Sequence, residues 1–380
     1  MAEIPLKLLQ GETAPGQKRR GRIRPMKKIA FAGRHVRPFM ENAHRHGWRV
    51  AALDGFNDWD ATRFGSLADP SGGMGQSAEE FFARADTLPD WPVIFCSPVE
   101  CCPEAMALFA GKGRILNAPA NAVAACRDFG FLRSVPGGGV MMPEISFTPD
   151  GAQPGWIIKN ANSAGGTGIR PDGGGLIPGE YRQKIVAGLS VGAVFCSGGD
   201  GTALCGIARH INRGYLFAGG IYPADVSRAV SGAVEEWGKK VAAASGLKGW
   251  WGADFILNDV GIHLLEVNPR FTASLELLAL AHGVDIVSAQ MGMMDGASYL
   301  KIGGAGGYFG RMVIYAVRDC VFGEPEKWFD AGARDIPHHG SAIKEGAPAL
   351  SFYAQGNTRD ECMDKLRLLE GALNRELYGV

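Results

Sequence analysis

The sequence predicts a multidomain α/β protein, in which a parallel sheet comes first, a small glycine-rich unit follows, and a larger α/β unit completes the chain. The 380 residues exceed one ordinary small domain, and 46% of them are hydrophobic, enough to fill two or three cores. Strand-like apolar runs alternate with helical patterns in both halves of the chain. Glycine accounts for 55 residues, about twice its usual frequency of roughly 7%.

The first domain is predicted from alternating strands and helices. The expected order is a strand over 28–33, a helix to His46, a strand over 48–53, a strand over 91–96, a helix over 103–110 and a short strand over 114–117. Such alternation builds a parallel sheet with helices on both faces. Ligands bind these sheets at the carboxyl ends of the strands, which here carry Gly33, Arg34, Arg37 and Asp54.

The rest of the chain divides into two regions with different sequence patterns. Short apolar segments separated by glycine predict a small, mobile, mostly β unit over 120–188, and longer strands and helices return after it. We expect a helix over 233–245, a hairpin over 252–268, and a closing helix over 358–377 with Thr358 as N-cap and Glu361 at capping-box spacing. The expected domains are a flexible basic tail at 1–27, an N-terminal α/β domain at 28–119, the small unit at 120–188 and a C-terminal domain at 189–380.

Composition restricts the function classes. The formal net charge is zero with 21% charged residues, so neither a nucleic-acid surface nor an acidic tail is indicated. One basic cluster, from Lys18 to Lys28, is either a solvated tail or a phosphate-binding arm. We expect a cytoplasmic protein, because no apolar run is long enough to span a bilayer and the start lacks the apolar stretch of a secretory signal. The eight cysteines form no CxxC pair and are expected to be buried thiols.

The strongest chemical signal is a predicted hairpin with three oxygen-bearing side chains. Segments 253–257 and 263–270 predict two strands, and side chains two residues apart on a strand share a face. Glu266 and Asn268 therefore point the same way, and a turn centred between the segments puts Asp254 opposite Glu266. Oxygen ligands of this kind suit Mg²⁺. The alternative is that Asp254 caps a turn and Glu266 pairs with an arginine, although an unpaired carboxylate is expensive to bury in so apolar a strand.

The second signal is a lysine followed by a glycine loop. The apolar run 156–159 ends in Lys159, and Ser-Ala-Gly-Gly-Thr-Gly follows at 163–168. Backbone N–H groups in such a loop can surround phosphate oxygens, and a lysine supplies a positive charge beside them. Glycine runs at 137–139 and 173–175 are expected to be ordinary surface loops.

A third segment, residues 181–188, joins the small unit to the second core. Segments between two domains often line clefts. Backbone groups of 183–186 are therefore candidates for pairing with an adenine edge, and a plain edge strand is the alternative.

Taken together, these segments resemble the ATP-grasp superfamily. The resemblance covers roughly residues 28–350 and is most specific at Glu-Val-Asn-Pro-Arg, 266–270. It implies a Rossmann-like N-terminal domain, a small ATP-grasp lid and a C-terminal ATP-grasp domain. Within the superfamily the chain is similar to the predicted ATP-dependent carboligase branch that includes tyramine–glutamate ligases of methanofuran-type cofactor biosynthesis. The stretches that suggest this branch are 33–37, 54–60, 159–169 and 268–274.

The resemblance implies ATP and Mg²⁺ as cofactors, with Mn²⁺ as the alternative metal. The implied roles are phosphate contact for Lys159, a closing phosphate loop of Ser163, Gly165, Gly166 and Gly168, adenine contact at Gln183 and Ile185, metal binding by Asp254, Glu266 and Asn268, and contact of Arg270 with the transferring phosphate or acyl group. Lys159 and Arg270 would be the catalytic residues.

Two departures from the family pattern matter. Many members carry an Asp-Lys pair where the small unit begins, but this chain has Arg127-Asp128, so Arg127 or Arg133 is expected to replace the lysine. Many members also place an acidic ribose contact after the linker, where this chain has Leu189 and Ser190. The ribose contact is therefore unassigned.

The resulting hypothesis is an ATP-dependent carboxylate–amine ligase that acts through an acyl phosphate and releases ADP and phosphate. Partners would be small molecules, with no nucleic acid or membrane, and a homodimer is left open. Alternatives are an ATP-dependent carboxylase that activates bicarbonate, or a nucleotide-binding scaffold without turnover. Dinucleotide binding is disfavoured because Gly33 stands outside any GxGxxG pattern. Arg34, Arg37 and Asp58 are candidate substrate contacts or, equally, surface and ion-pair residues.

Overall fold

A computed structural model of the protein describes residues 27–69, 77–109, 114–135, 137–148, 151 and 154–379. Most of the expected basic tail, including Lys18 to Arg24, lies outside the described residues. Lys28 begins the first strand, and the Lys27 ammonium donates a hydrogen bond to Ser288 Oγ at 3.0 Å.

The first sheet is parallel and has the strand order β3-β2-β1-β4. Its elements are β1 (Lys28–Gly33), α1 (Arg37–Arg45), β2 (Arg49–Asp54), β3 (Ser66–Leu67), α2 (Ala78–Ala83), β4 (Val93–Phe95) and α3 (Ala105–Leu108). The predicted strand, helix, strand unit is confirmed. Two predictions were wrong: residues 114–117 contribute one bridge, between Ile115 and Val93, and the helix expected over 103–110 is limited to α3.

The small unit contains a four-stranded antiparallel sheet of order β6-β9-β7-β8. It follows two short helices, and its elements are α4 (Ala120–Ala125), α5 (Phe129–Ser134), β5 (Val140–Met141), β6 (Ile145–Ser146), β7 (Trp156–Asn160), β8 (Ile169–Pro171) and β9 (Glu180–Lys184). The expectation of a mostly β unit therefore fits residues beyond about 140 but not the two helices before them. β5 belongs to another sheet, since it pairs with a strand of the C-terminal half.

The C-terminal half is built on an eight-stranded sheet of order β18-β15-β12-β11-β10-β13-β14-β5. The elements not yet named are β10 (Leu189–Gly198), β11 (Gly201–Arg213), β12 (Leu216–Tyr222), α6 (Arg228–Ser245), β13 (Gly249–Asn258), β14 (Gly261–Asn268), α7 (Ala273–His282), α8 (Ile286–Met294), β15 (Tyr308–Tyr315), β16 (Cys320–Val321), α9 (Pro325–Asp330), β17 (Ala342–Ile343), β18 (Pro348–Gly356) and α10 (Arg359–Tyr378). The sheet is antiparallel except for β5, which runs parallel to β14.

Aromatic packing fixes this sheet between its helices. Trp237 of α6 packs on Phe195 and Trp251, whose rings stack at 4.2 Å. The N-terminal domain joins the other side, where Phe39 of α1 meets Phe271 at 5.1 Å. Buried aromatic pairs of this kind contribute about 0.5–1.5 kcal/mol each beyond the area they bury. The two domains therefore share one continuous apolar contact.

The closing helix α10 begins as predicted at Thr358, whose hydroxyl accepts a hydrogen bond from the Glu361 N–H at 3.1 Å. The Glu361 carboxylate accepts instead from the Asn357 N–H at 2.7 Å, one residue before the position that a capping box uses. The cap was therefore predicted correctly and the reciprocal contact was not.

Within the described residues, no single helix has both the length and the apolar character needed to cross a membrane. Helices α7 and α8 meet that criterion only as a pair, across a bend of 111°.

Candidate active site

The predicted hairpin is formed by β13 and β14, and its register agrees with the prediction. Asp254 pairs with Glu266, and Gly252 pairs with Asn268. The turn is closed by Asn258, whose side-chain oxygen accepts hydrogen bonds from the N–H groups of Val260 and Gly261, at 3.0 and 3.1 Å. This local turn fixes which side chains face one another.

The three predicted metal ligands lie together on one face. The Asn268 amide nitrogen donates to Asp254 Oδ2 at 3.1 Å and to Glu266 Oε1 at 3.4 Å. Its amide oxygen accepts from Arg270 at 3.0 Å. Ligation of a metal by Asn268 would therefore require its amide to rotate so that the oxygen faces the carboxylates.

The electrostatics of the two carboxylates fit a cation. Burial and the neighbouring Glu266 charge raise the pKa of Asp254 well above its ordinary value. Burial also acts to raise the pKa of Glu266, but the charges of Lys159 and Arg127 outweigh it and hold that pKa at about 2. Two adjoining, partly buried carboxylates that repel one another are stabilised by a divalent ion between them. The donor set is therefore suited to Mg²⁺.

Lys159 reaches this site from the small unit. It lies on β7, its side chain is buried, and its ammonium donates to Gln183 Oε1 at 3.4 Å. The same ammonium lies 5.9 Å from the centre of the Tyr181 ring. The charge of Lys159 lowers the pKa of Glu266. Lys159 and the hairpin carboxylates therefore lie near one another, between the two units.

The glycine loop at 163–168 rests on the turn between β11 and β12. The Phe217 N–H donates to the Gly165 carbonyl at 3.1 Å. Gly165 and Gly166 have φ angles of +66° and +82°, which favour glycine. A Cβ on Gly166 would lie 2.0 Å from the Tyr215 carbonyl oxygen, so only glycine permits this contact. Ser163 joins the start of the loop to the end of β7, since its hydroxyl donates a hydrogen bond to the Asn160 carbonyl at 3.0 Å.

The adenine assignment stays a prediction, but the surroundings of β9 limit it. Strand β9 is central in its sheet, with Gln183 paired to residues on both sides, so the edge-strand alternative is wrong. The Ile185 N–H donates to the Gly155 carbonyl at 2.8 Å, which conflicts with its use by adenine. Gln183 is buried, and its side chain faces Lys159.

Arg270 is held by a residue that the sequence reasoning missed. Glu100, which follows β4, accepts from Arg270 Nε at 3.0 Å and from Nη2 at 2.8 Å. Burial alone would lower the pKa of Arg270, but Glu100 reverses this and raises it. Arg270 therefore bridges the N-terminal domain and the hairpin residue Asn268.

Two further residues complete the surroundings of the hairpin. The charge of Arg127 lowers the pKa of Glu266, and its guanidinium donates a hydrogen bond to the Ala161 carbonyl. Arg127 therefore faces the site. Arg133 instead lines a separate cavity beside α6. His210 was missed: its Nε2 lies 3.8 Å from Asp254 Oδ1, and its Nδ1 is hydrogen-bonded to Ser190 Oγ at 3.2 Å. Burial lowers the pKa of His210 to about 4, which keeps the ring neutral at physiological pH.

One candidate substrate contact is already engaged. Arg37 is buried and forms ion pairs with Asp335 at 2.8 Å and Glu41 at 2.6 Å. Its role is therefore to join α1 to the C-terminal half, which agrees with the ion-pair alternative for this residue.

Comparison with known proteins agrees with this geometry. The model of the ATP-grasp domain family matches residues 134–274, the range that contains Lys159, the glycine loop and the hairpin. The carbamoyl phosphate synthase large chain of Clostridium botulinum (strain Alaska E43 / Type E3) is 29% identical over 125 residues. That match covers 32% of this chain and 12% of the relative's length.

Solved structures resemble the chain over most of its length. Biotin carboxylase from Campylobacter jejuni aligns with a TM-score of 0.65 and 13% identity, covering 90% of each chain. N5-carboxyaminoimidazole synthase from Aspergillus clavatus aligns with a TM-score of 0.66 and 16% identity, covering 92% of this chain and 99% of the other. These likenesses show the fold. Residues 134–274 therefore match the ATP-grasp domain family, and most of the chain has the fold of these solved structures.

Proposed function

We propose that the protein is an ATP-dependent carboxylate–amine ligase that acts through an acyl phosphate. The proposal rests on one observation. Lys159 of the small unit lies near a hairpin that brings together Asp254, Glu266 and Asn268. A cationic side chain opposite a metal-binding acidic set is an arrangement that can hold a nucleoside triphosphate at its phosphates.

Each part of the site has a chemical task in this proposal. Mg²⁺ held by Asp254, Glu266 and Asn268 would supply charge neutralisation for the phosphates. Lys159 and the N–H groups of the 163–168 loop hold the terminal phosphate in line with the attacking carboxylate. Arg127 adds positive charge where many relatives have a lysine.

Activation must precede coupling, because a carboxylate would have to expel oxide when attacked by an amine. Transfer of the terminal phosphoryl group to the carboxylate gives an acyl phosphate and ADP. Arg270, released from Asn268, can stabilise the charge on that intermediate. The docked glycine loop keeps water away from it.

We also propose the substrates that the sequence resemblance suggests. Glutamate would supply the carboxylate, and an aromatic amine such as tyramine, or an amine on a one-carbon carrier, would accept it. This places the enzyme in the biosynthesis of a methanofuran- or methanopterin-type cofactor. The resemblance at 33–37 and 54–60 supports the proposal.

The decisive experiment is a screen of carboxylate and amine pairs that follows ADP and phosphate release and detects the coupled product by mass. Hydroxylamine added without an amine should trap the acyl phosphate as a hydroxamate. Release of AMP would refute the acyl-phosphate mechanism. ADP release with glutamate inert would refute only the choice of substrate.

Bicarbonate belongs in the same screen. ATP turnover that needs bicarbonate and no organic acid would replace the ligase by a carboxylase. Complete inactivity with ATP and metal across the screen would favour a nucleotide-binding scaffold.

A further inference from the structure

A second group of acidic side chains lies at the carboxyl ends of β1 and β2. Asp54 ends β2, Asp58 follows it in the next loop, His35 follows β1, and Asp335 approaches from the C-terminal half. Potential ligand atoms of His35, Asp58 and Asp335 lie within 4.8 Å of one another. We call Asp54, Asp58, His35 and Asp335 the acidic edge.

Most of the negative charge around the acidic edge is neutralised by arginines. The ion pairs are Arg37 with Asp335 at 2.8 Å, Arg37 with Glu41 at 2.6 Å, Arg311 with Glu276 at 3.1 Å, Arg311 with Asp335 at 2.6 Å and Arg334 with Glu41 at 3.2 Å. Asp60 accepts hydrogen bonds from the N–H groups of Ile336 at 2.8 Å and Asp335 at 3.3 Å. These carboxylates have structural partners and join the two domains.

Asp54 and Asp58 differ from them. Asp54 is 2% exposed and Asp58 is 7% exposed, and within the described residues the Oδ2 atom of each has no hydrogen-bond partner. Burial raises the pKa of Asp54 to about 6, and burial together with the nearby Asp54 charge raises that of Asp58. Buried carboxylate oxygens normally have partners. Within the described residues, each Oδ2 atom is therefore open to a further hydrogen-bond donor.

The acidic edge adjoins the proposed site of acyl transfer. The buried Cys96 thiol lies at the end of β4. The charges of Arg270, Glu100 and Asp54 all affect its pKa. The ends of β1 and β4 are in direct contact, since the Arg34 N–H donates to the Ser97 carbonyl at 2.7 Å. Asp54 Oδ1 accepts a hydrogen bond from the Val36 N–H at 3.3 Å, whereas Oδ2 of Asp54 and of Asp58 has no partner within the described residues. Both aspartates belong to the N-terminal domain, which also supplies Glu100 to Arg270.

We propose that Asp54 and Asp58 bind the ammonium group of the acceptor amine, an inference that rests on the proposed ligase function. The negative charge of these two aspartates would repel the carboxylate substrate, so it suits the other substrate. A resident metal ion would need Asp335 and His35 as ligands and fits less well. Asp335 already accepts hydrogen bonds from Arg37 and Arg311 and is hydrogen-bonded to His35.

The same carboxylates can make the amine reactive. An ammonium nitrogen has no free electron pair, so it must first lose a proton, which Asp54 or Asp58 takes up. The amine nitrogen then attacks the carbonyl carbon of the acyl phosphate, a C–N bond forms and the C–O bond to phosphate breaks. The nitrogen's second proton leaves with the phosphate, and the amide remains.

The test compares two nucleophiles with the carboxylate that the screen identifies. Hydroxylamine is uncharged at neutral pH and needs no ammonium pocket, whereas methylamine, putrescine and tyramine are cations. In Asp54→Asn and Asp58→Asn, hydroxamate formation should fall less than amide formation with the cationic amines. For the amines, we expect KM to rise about 10- to 100-fold, as for loss of hydrogen bonds to a charged group. Asp90→Asn, exposed before β4, is the matched control and should behave as wild type.

The outcomes separate the two proposals. Absence of hydroxamate with the wild-type enzyme rejects the ligase function and this inference with it. Hydroxamate formation with the same amine KM in wild type and both variants rejects only the inference, as does a wild type that accepts none of the three amines. Stoichiometric binding of Mn²⁺ or Zn²⁺ without nucleotide, lost in Asp58→Asn, would also overturn it, because the pocket would then serve a resident ion.

Discussion

Closure of the glycine loop can be tested by two substitutions that differ in one contact. Gly165 and Gly166 both have positive φ angles, so alanine at either position adds backbone strain of about 1–2 kcal/mol. A Cβ on Gly165 meets nothing within 4 Å, whereas one on Gly166 would lie 2.0 Å from the Tyr215 carbonyl oxygen. Gly165→Ala is therefore the control for strain, and Gly166→Ala adds a clash with the turn.

The clash should separate the loop from the turn and break the 3.1 Å hydrogen bond from the Phe217 N–H to the Gly165 carbonyl. Loss of that bond adds about 1 kcal/mol, or roughly fivefold, to the cost of closure. Hydrogen exchange across 160–170, with a non-hydrolysable ATP analogue and Mg²⁺, measures closure without knowledge of the substrates. We expect protection by nucleotide in the wild type, less in Gly165→Ala and least in Gly166→Ala.

Equal protection in the two variants would refute the role of the turn contact. Exchange in the wild type that nucleotide leaves unchanged would refute a phosphate-closing loop altogether.

Three further predictions concern the carboxylates. Glu266→Gln and Asn268→Ala should remain folded by circular dichroism but lose metal-dependent ATP consumption, because each removes an oxygen ligand; wild-type turnover in either would contradict the metal assignment. Asp54→Asn should stabilise the protein by up to about 3 kcal/mol at pH 8 and by little at pH 4, as measured by urea unfolding. The sign follows because the native pKa, about 6, exceeds the ordinary 3.8, so wild-type stability falls as pH rises from about 4 through 6. A loss of stability in the variant at pH 8 would contradict the raised pKa of Asp54. Glu100→Gln should weaken the hold on Arg270 and lower the rate of acyl transfer more than affinity for ATP, which single-turnover kinetics can separate.

Local sequence information was sufficient for the hairpin. The facing of Asp254 and Glu266 depends on a short turn closed by Asn258 and on the two-residue period of a strand. The distance along the chain is small, so few registers compete. The same reasoning gave the first β-α-β unit and the cap at Thr358.

Contacts between distant segments were not predictable in this way. Glu100 meets Arg270 across 170 positions, and His210 reaches Asp254 from β11, with β10 lying between their two strands. Nothing in the local pattern around Glu100 or His210 distinguishes a site residue from a surface residue. The choice between Arg127 and Arg133 also needed the structure, since it depends on which side of α5 faces the hairpin.

The remaining errors came from short elements. Residues 114–117 have the composition of a strand but form one bridge, while β3, only two residues long, pairs at the opposite edge of the sheet. The position of β9 was misjudged because a central and an edge strand of polar sequence look alike. Domain boundaries, the adenine contact and the ribose contact remain predictions.

The bridge made by Arg270 has a consequence for how affinities are measured. One guanidinium serves both Asn268 in the hairpin and Glu100 in the N-terminal domain. A ligand that draws Arg270 towards the phosphates leaves the Glu100 carboxylate buried without its counter-charge, and a cation bound nearby offsets that loss. By thermodynamic reciprocity, each substrate must then change the affinity for the other by the same factor. Under the proposed ligase function, the dissociation constant for ATP depends on the amine concentration, and the two substrates have to be titrated as a grid.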